Sequence, residues 1–231
     1  LICAKGFDPN SNKLLSNLLV ENLNVNINKI AVLSGPNHAE EIVQNKPAAT
    51  VIASKNNKLV SSLQLLLSSE SFRVYKTNDL DGVQVGGAIK NIISIASGIC
   101  SSLRLGDNII AALITRGLHE MLSLKKIYNL DTSTLYGLSG LGDLMATAYS
   151  KHSRNRKFGE LIGSGYTVSE AMKVVDATVE GLFACKIIKD ISTDEDLDLP
   201  ICTEIYNILY NFSDPRQSIG NLMLRKLKDE K

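Results

Sequence analysis

The chain reads as an α/β part built on a mostly parallel sheet, followed by an all-helical part. Two observations predict this. Up to about residue 80, short apolar runs alternate with segments of helical spacing, whereas from about residue 81 helical periodicity dominates and convincing strands disappear. Strands separated by single helices are the pattern of β/α units, and the loss of strand signal marks a change of architecture. The 231 residues are enough for one large or two modest domains, with the division placed at 1–80 and 81–231.

The elements follow in order. Residues 1–4 are a short apolar run, 14–23 have helical spacing, and 30–33 are apolar and short again. Gly35-Pro36 breaks the chain before a helical segment at 37–44. Residues 48–53 are β-prone, 58–67 helical, and 72–75 a last strand. Helical periodicity then covers 83–103, 108–127, 156–162, 168–174, 179–191 and 201–210. Asp107 suits the N-cap of the second of these helices, and Arg116 can pair with Glu120 at i, i+4. The acidic stretch 194–198 does not fit a calcium loop and reads as solvated, and the charged tail 225–231 is expected to fray. The chain does not begin with Met and opens on what reads as a strand in progress, so it is expected to start inside a larger protein.

Composition excludes several classes. Lys and Arg number 25 against 24 Asp and Glu, which removes the electrostatic case for a nucleic-acid or membrane-surface partner. No apolar run is read as approaching the ~20 residues of a membrane span. Cys3, Cys100, Cys185 and Cys202 form no Cys-x-x-Cys pair and read as apolar fillers in a reducing compartment. His38-Ala39-Glu40-Glu41 has metal-capable types without a zincin-like His pair, so no metal is expected.

Three constellations carry chemistry. The first is Gly86-Gly87-Ala88-Ile89-Lys90-Asn91, which sets one lysine in a run that otherwise reads as a buried helix. Desolvation lowers a lysine's pKa and makes it a candidate acid or base; the plainer reading is a snorkelling side chain. Gly86, Gly87, Lys90, Ser94, Ser97, Gly98 and Ser101 share a small, polar helical face, which leaves room either for a ligand or for close helix packing. The second is Leu138-Ser139-Gly140-Leu141-Gly142-Asp143-Leu144, where Asp143 can cap the following helix or orient a lysine. It is not a dinucleotide fingerprint: Met145 stands where a third glycine belongs, and no Gly-x-Gly-x-x-Gly occurs in the chain. The third is Lys151-His152-Ser153-Arg154-Asn155-Arg156-Lys157 at a helix start, either a phosphate pocket or a basic exposed end. Two smaller features follow strands: Lys5-Gly6, and Ser34-Gly35-Pro36-Asn37-His38-Ala39, in which Pro36 suits a first helical position.

Lys5-Gly6, residues 34–39, Gly86–Asn91, residues 137–143, Ser153–Arg156 and Val179-Glu180-Gly181 occur in this order. Together, over essentially the whole chain, they resemble the NAD(P)-dependent glycerol-3-phosphate dehydrogenases of bacterial type. The resemblance implies the carboxyl-terminal part of a Rossmann-like domain, then a helical substrate and dimerisation domain like that of 6-phosphogluconate dehydrogenase. It implies reversible NAD(P)H-dependent reduction of dihydroxyacetone phosphate to sn-glycerol 3-phosphate, feeding glycerophospholipid synthesis, in a cytoplasmic homodimer that acts on a small phosphorylated substrate. Lys90 matches the proton acceptor of the oxidative direction and Asp143 the substrate-site aspartate, with Thr147 one turn later as a helper. Lys5 matches the position where cofactor and substrate meet. Gly35 and Asn37 lie near substrate and Ala39 near cofactor. Ser153, Arg154 and Asn155 match the phosphate-binding segment, with Arg154 also meeting the cofactor, and Thr178 and Glu180 close on the nicotinamide side.

Two departures stand out. The family often has Ser or Thr at Asn37, where an amide still hydrogen-bonds. The amino-terminal half of the nucleotide-binding domain, with its glycine-rich phosphate loop, is not in the chain. That leaves the adenine half of the cofactor without a cradle, puts the activity of this chain alone in doubt, and leaves NAD and NADP undistinguished. The rival readings are a related hydroxyacid or 6-phosphogluconate-type dehydrogenase, which would have no use for Ser153–Asn155, and a non-catalytic helical assembly domain.

Overall fold

A computed structural model describes residues 1–227 and 229–230. Strands β1 (Val32–Ser34), β2 (Ala48–Ala53) and β3 (Phe72–Thr77) form one sheet in that order. Helices α1 (Leu15–Leu23), α2 (Ala39–Ile42) and α3 (Asn57–Leu67) accompany the sheet. The remaining helices are α4 (Leu80–Ser102), α5 (Asp107–Ser123), α6 (Thr132–Tyr136), α7 (Asp143–Tyr149), α8 (Arg154–Gly163), α9 (Val168–Val175), α10 (Glu180–Asp194), α11 (Pro200–Tyr210) and α12 (Pro215–Met223).

The sheet is mixed rather than uniformly parallel. β2 and β3 pair in parallel across α3, but β1 and β2 run antiparallel, with Val32 opposite Ala53 and Ser34 opposite Val51. Between them α2 is only four residues, about 6 Å of helix, and the chain enters β2 against the direction of β1. The strand expected at 1–4 shrinks to a parallel bridge from Ile2 to Val32, because Gly6 (φ 139°) and the Phe7–Leu14 bridge turn the chain away. Pro36 is not at a helix start: His38 is the N-cap of α2.

The long helices appear where the periodicity places them, with starts set by caps. α4 begins at Leu80 because Asp79 accepts the Gly82 N–H at 2.9 Å through Oδ1; its Oδ2 accepts the Asp131 N–H at 2.9 Å. Gly106, not Asp107, is the N-cap of α5. Among the described residues Arg116 and Glu120 form no ion pair. Glu120 is 3% exposed and accepts the backbone N–H groups of Ile201 (2.6 Å) and Cys202 (3.1 Å), capping α11 from a distance. Two helices went unread in the sequence. One is α6; the other is α12, although Asp214 caps it and Pro215 opens it. Of the tail, Arg225 pairs with Asp198 through both carboxylate oxygens, and Lys228 and Lys231 lie outside the described residues.

α4 is the axis of the helical part. Its Val85, Ile89, Ile92, Ile93, Ile95 and Ile99 are essentially inaccessible and join the main core with residues of α5, α7, α8, α10 and α11. By length and composition α4 could cross a membrane, contrary to the sequence reading, but its whole apolar window is buried inside the fold. Part of its small-residue stripe serves close packing. A Cβ on Gly98 would lie 2.1 Å from the Arg156 carbonyl, and one on Gly159 would lie 2.0 Å from that of Ile95, so α4 and α8 touch backbone to backbone. Cys100, Cys185 and Cys202 are the buried fillers expected; Cys3 is exposed.

Candidate active site

The other end of that stripe carries a buried lysine. Lys90 is 7% exposed, and its Nζ donates to Asp143 Oδ1 at 2.6 Å and to Thr147 Oγ1 at 2.8 Å. Asp143, 2% exposed, accepts a second lysine: Lys5 Nζ lies 2.7 Å from Oδ2 and also donates to the Gly35 carbonyl at 3.0 Å. Two lysines therefore share one buried carboxylate. Each ammonium has three N–H groups and spends two here, so one on each remains for a ligand.

Local sequence explains the assembly. Gly87 lets the Lys5 stem pass close over α4, since a Cβ there would stand 3.3 Å from Lys5 Cγ and 3.0 Å from Ser34 Oγ. Gly86 likewise admits the backbone of Ser139. Leu138–Gly142 forms one π-helical turn, an uncommon geometry that recurs at functional sites, and it runs directly into Asp143. Asp143 is the first residue of α7, not its N-cap, so its carboxylate is free to take both lysines. Thr147, one turn on, donates to the Asp143 carbonyl at 2.6 Å while accepting from Lys90.

Burial pushes the Lys90 ammonium from its usual 10.5 down to about 8; the Asp143 carboxylate pulls it back up and the Lys5 charge pushes it further down. The snorkelling alternative fails, because the Nζ is inside the fold on named partners.

The segment Ser153–Asn155 is adjacent. Ser94, one turn beyond Lys90, donates to the Thr147 carbonyl (3.1 Å) and meets Ser153 Oγ (3.0 Å). Ser153 caps α8 by accepting the Arg156 N–H, so its hydroxyl is already occupied. Arg154 is exposed at the first position of α8, with no ion pair among the described residues. Asn155 is 7% exposed; its Nδ2 donates to Asn91 Oδ1 at 2.9 Å and its Oδ1 accepts the Gly181 N–H at 2.9 Å. Asn91 Nδ2 in turn donates to Glu180 Oε2 at 3.0 Å. Arg156 points elsewhere, to Glu160, Ser101 and the Tyr149 carbonyl.

On the sheet side, Gly35 (φ 157°) lies against β2, where a Cβ would come within 3.0 Å of Thr50 Cα. Asn37 donates to the Ala49 carbonyl at 3.1 Å, while its Oδ1 is buried without a partner. Ser34 Oγ, His38 Nε2 and Ser139 Oγ are buried and unpartnered as well. Four orphaned polar atoms thus gather around the β1–α2 turn and the π turn, where a polar ligand would satisfy them. Ala39 and Thr178 are exposed and outside this cluster. Asn91 and Ser94 were not singled out as site residues, although Asn91 stood in the quoted motif and Ser94 on the stripe of Lys90.

Comparison with known proteins places this geometry. The models described as the N-terminus and the C-terminus of NAD-dependent glycerol-3-phosphate dehydrogenase match residues 1–60 and 79–220. The chain belongs to the NAD-dependent glycerol-3-phosphate dehydrogenase family. A glycerol-3-phosphate dehydrogenase (NAD(P)+) of Clostridium botulinum (strain Eklund 17B / Type B) is 45% identical over 98% of this chain and 68% of its own length. One of Halothermothrix orenii is 46% identical over 88% of this chain and 60% of its own. The crystal structure of glycerol-3-phosphate dehydrogenase from Coxiella burnetii superimposes with a TM-score of 0.91, at 36% identity, over 96% of this chain and 68% of that one. Within the family frame, Lys5, Gly35, Asn37 and Ala39 fall in the segment matched by the N-terminal model. Lys90, Asp143, Thr147, Ser153, Arg154, Asn155, Thr178 and Glu180 fall in that matched by the C-terminal one.

Proposed function

We propose that this site carries out NAD(P)-dependent glycerol-3-phosphate dehydrogenase chemistry, and that its working direction is reduction of dihydroxyacetone phosphate to sn-glycerol 3-phosphate. The observation that carries the reading is the shared Asp143 carboxylate, which holds Lys90 and Lys5 side by side with one N–H free on each. A cytoplasmic homodimer that supplies glycerophospholipid synthesis belongs to the same reading, and rests on the family alone.

The residues fit a nicotinamide dinucleotide at its reactive end. Asn37 Oδ1 and the other unpartnered atoms of the β1–α2 turn, with the spare N–H of Lys5, are groups that an amide or a ribose could satisfy. Lys5, Ala39, Arg154, Thr178 and Glu180 would hold the cofactor, which supplies the hydride when bound. Lys90 Nζ then delivers a proton to the carbonyl oxygen in reduction and takes one back in oxidation; at about 8 it exchanges protons near neutral pH. The same charge, with that of Lys5, stabilises the developing alkoxide. Asp143 and Thr147 fix the Lys90 head, so little reorganisation is needed as charge develops. Gly35 and Asn37 face the substrate, and Arg154, Asn155 and the α8 amino end orient its phosphate, turning remote binding into alignment at the carbonyl.

The test follows the loss of reduced-nicotinamide absorbance on adding dihydroxyacetone phosphate, with dihydroxyacetone in parallel. Both run on this chain and on the protein extended to the length of its relatives. Turnover that depends on the phosphate supports the reading. Equal turnover without the phosphate points to a hydroxyacid-type enzyme. No turnover in the extended protein, with glycerol 3-phosphate also failing to bind in a calorimetric titration, leaves a helical assembly domain.

A further inference from the structure

Next to Lys90 on α4, Asn91 is 1% exposed, and its amide uses both N–H groups and its carbonyl oxygen. Its Oδ1 accepts from Asn155 Nδ2 (2.9 Å), and its Nδ2 donates to Glu180 Oε2 (3.0 Å) and, over 3.3 Å, to the Gly87 carbonyl. Three helices meet at this one side chain: α4, the first turn of α8 and the first turn of α10. We propose that Asn91 is a positioning residue that locks the phosphate-side Asn155 to the cofactor-side Glu180. The inference rests on the substrate and cofactor reading above.

Donor and acceptor counting explains why an amide is needed. Asn155 presents a donor and Glu180 an acceptor, so the bridging group must accept on one side and donate on the other. Aspartate of the same shape accepts on both sides, and leucine does neither. Asn155 Oδ1 accepts the Gly181 N–H and one of its N–H groups donates to Asn91, which leaves one N–H for a ligand. Glu180 spends Oε2 on Asn91 and keeps Oε1. The approach is enforced by Gly181, where a Cβ would come within 2.7 Å of the Asn91 carbonyl, so the start of α10 sits directly on α4. With both N–H groups engaged and almost no exposure, Asn91 acts through its neighbours. Its loss would loosen both ends of the site together, because Asn155 and Glu180 share a single partner.

The experiment replaces Asn91 by Asp and reads three quantities: KM for glycerol 3-phosphate, KM for the nicotinamide, and calorimetric affinity for glycerol 3-phosphate without cofactor. Asn91→Asp removes the donor facing Glu180 and opposes two carboxylates. Both KM values are expected to rise by about tenfold or more, and the calorimetric affinity to fall alongside, as when a buried hydrogen-bond partner is lost. A second variant, Asn91→Asp with Glu180→Gln, reverses the polarity of the bridge without adding charge, since the amide introduced on α10 now donates to the carboxylate introduced on α4. It is expected to recover the glycerol 3-phosphate affinity to within about threefold of the parent, a rescue that general loosening of the packing does not give. Constants in Asn91→Asp that match the parent, or a double variant no better than the single, overturn the coupling. A parent protein that neither binds nor oxidises glycerol 3-phosphate overturns the substrate reading, and this inference with it.

Discussion

Replacing Asp143 with Asn removes, among the described residues, the negative charge that touches Lys90 in the hydrogen-bond network while preserving shape. An opposite charge in direct contact shifts a pKa by about 1–3 units. Lys90 stands at about 8 with the carboxylate in place, so it is expected to fall by about that much in Asp143→Asn. At 1.36 kcal/mol per unit, the lost interaction is about 1.4–4 kcal/mol. Lys90 is 7% exposed, so solvent screening does not reduce this figure much. The sign is fixed by which state carries the proton. The folded pKa is depressed in both proteins, so burying the charged amine costs stability below the folded pKa, and the cost is relieved as pH rises from the folded pKa to the usual 10.5. The difference between the proteins is therefore full below the variant's pKa, shrinks as pH approaches about 8, and vanishes from the Lys90 contribution above it. Urea unfolding at several pH values reads this directly, and the titration of a labelled Lys90 Nζ by NMR reads the pKa itself. A stability gap that stays constant across about pH 6–9, or an unmoved Lys90 titration, would refute the pairing of Lys90 with Asp143 as the source of its tuning.

Lys90→Ala should lower turnover by about 10²-fold or more with the fold intact by circular dichroism; preserved turnover removes Lys90 from the proton-transfer role. In the parent protein, reduction should slow as pH rises through about 8, where Lys90 loses its proton, and oxidation should quicken over the same range; pH–rate profiles in the two directions check it. Arg154→Ala should mainly raise KM for the phosphorylated substrate, with little change in stability because the side chain is exposed; an unchanged KM counts against it. Glu120 is 3% exposed and pushed from the usual 4.5 up to about 7 by burial, so it contributes stability present below about 4.5 and lost as pH rises through about 7. That amounts to about 3 kcal/mol at 1.36 kcal/mol per unit, and Glu120→Gln should abolish this slope in urea titrations across the same window.

Much of this was legible in the sequence because the responsible forces are local. The helical spacing of the α4 isoleucines follows from one apolar environment on nearly all sides. The caps Asp79, Asn56, Ser153 and Asp214 also act within three residues of their own positions but were not read, and the one cap that was read, Asp107, gives way to Gly106. What else escaped depends on contacts between distant residues. The antiparallel pairing of β1 with β2 is a contact between strands that periodicity does not report, and α2 is shorter than the 37–44 segment read from helical spacing. Glu120 was assigned to Arg116 by helical spacing, yet its carboxylate is spent 81 residues away at the start of α11. Asn91 stood in the quoted motif and Ser94 on the stripe of Lys90, but their roles depend on partners more than 50 residues distant, which no local pattern reports.

The charge balance of the site ties these elements to its chemistry. Lys5 and Lys90 set two positive charges on a single buried carboxylate, leaving one positive charge in excess where solvent is largely excluded. An excess buried cation is costly by itself, and the cost is offset when an oxyanion or a phosphate arrives. The cost is tolerated because the scaffold is stiff. α4 is held backbone to backbone by Gly98 and Gly159, and Lys90 leaves it one turn from the Ser94–Ser153 contact that anchors α8. A softer helix would let Lys90 swing towards water and regain its solvation, and the tuned pKa would relax towards that of an ordinary lysine. On the proposed reading, the small residues of the stripe thus serve the chemistry without touching a ligand, since they hold the Lys90 charge where a carbonyl oxygen would meet it.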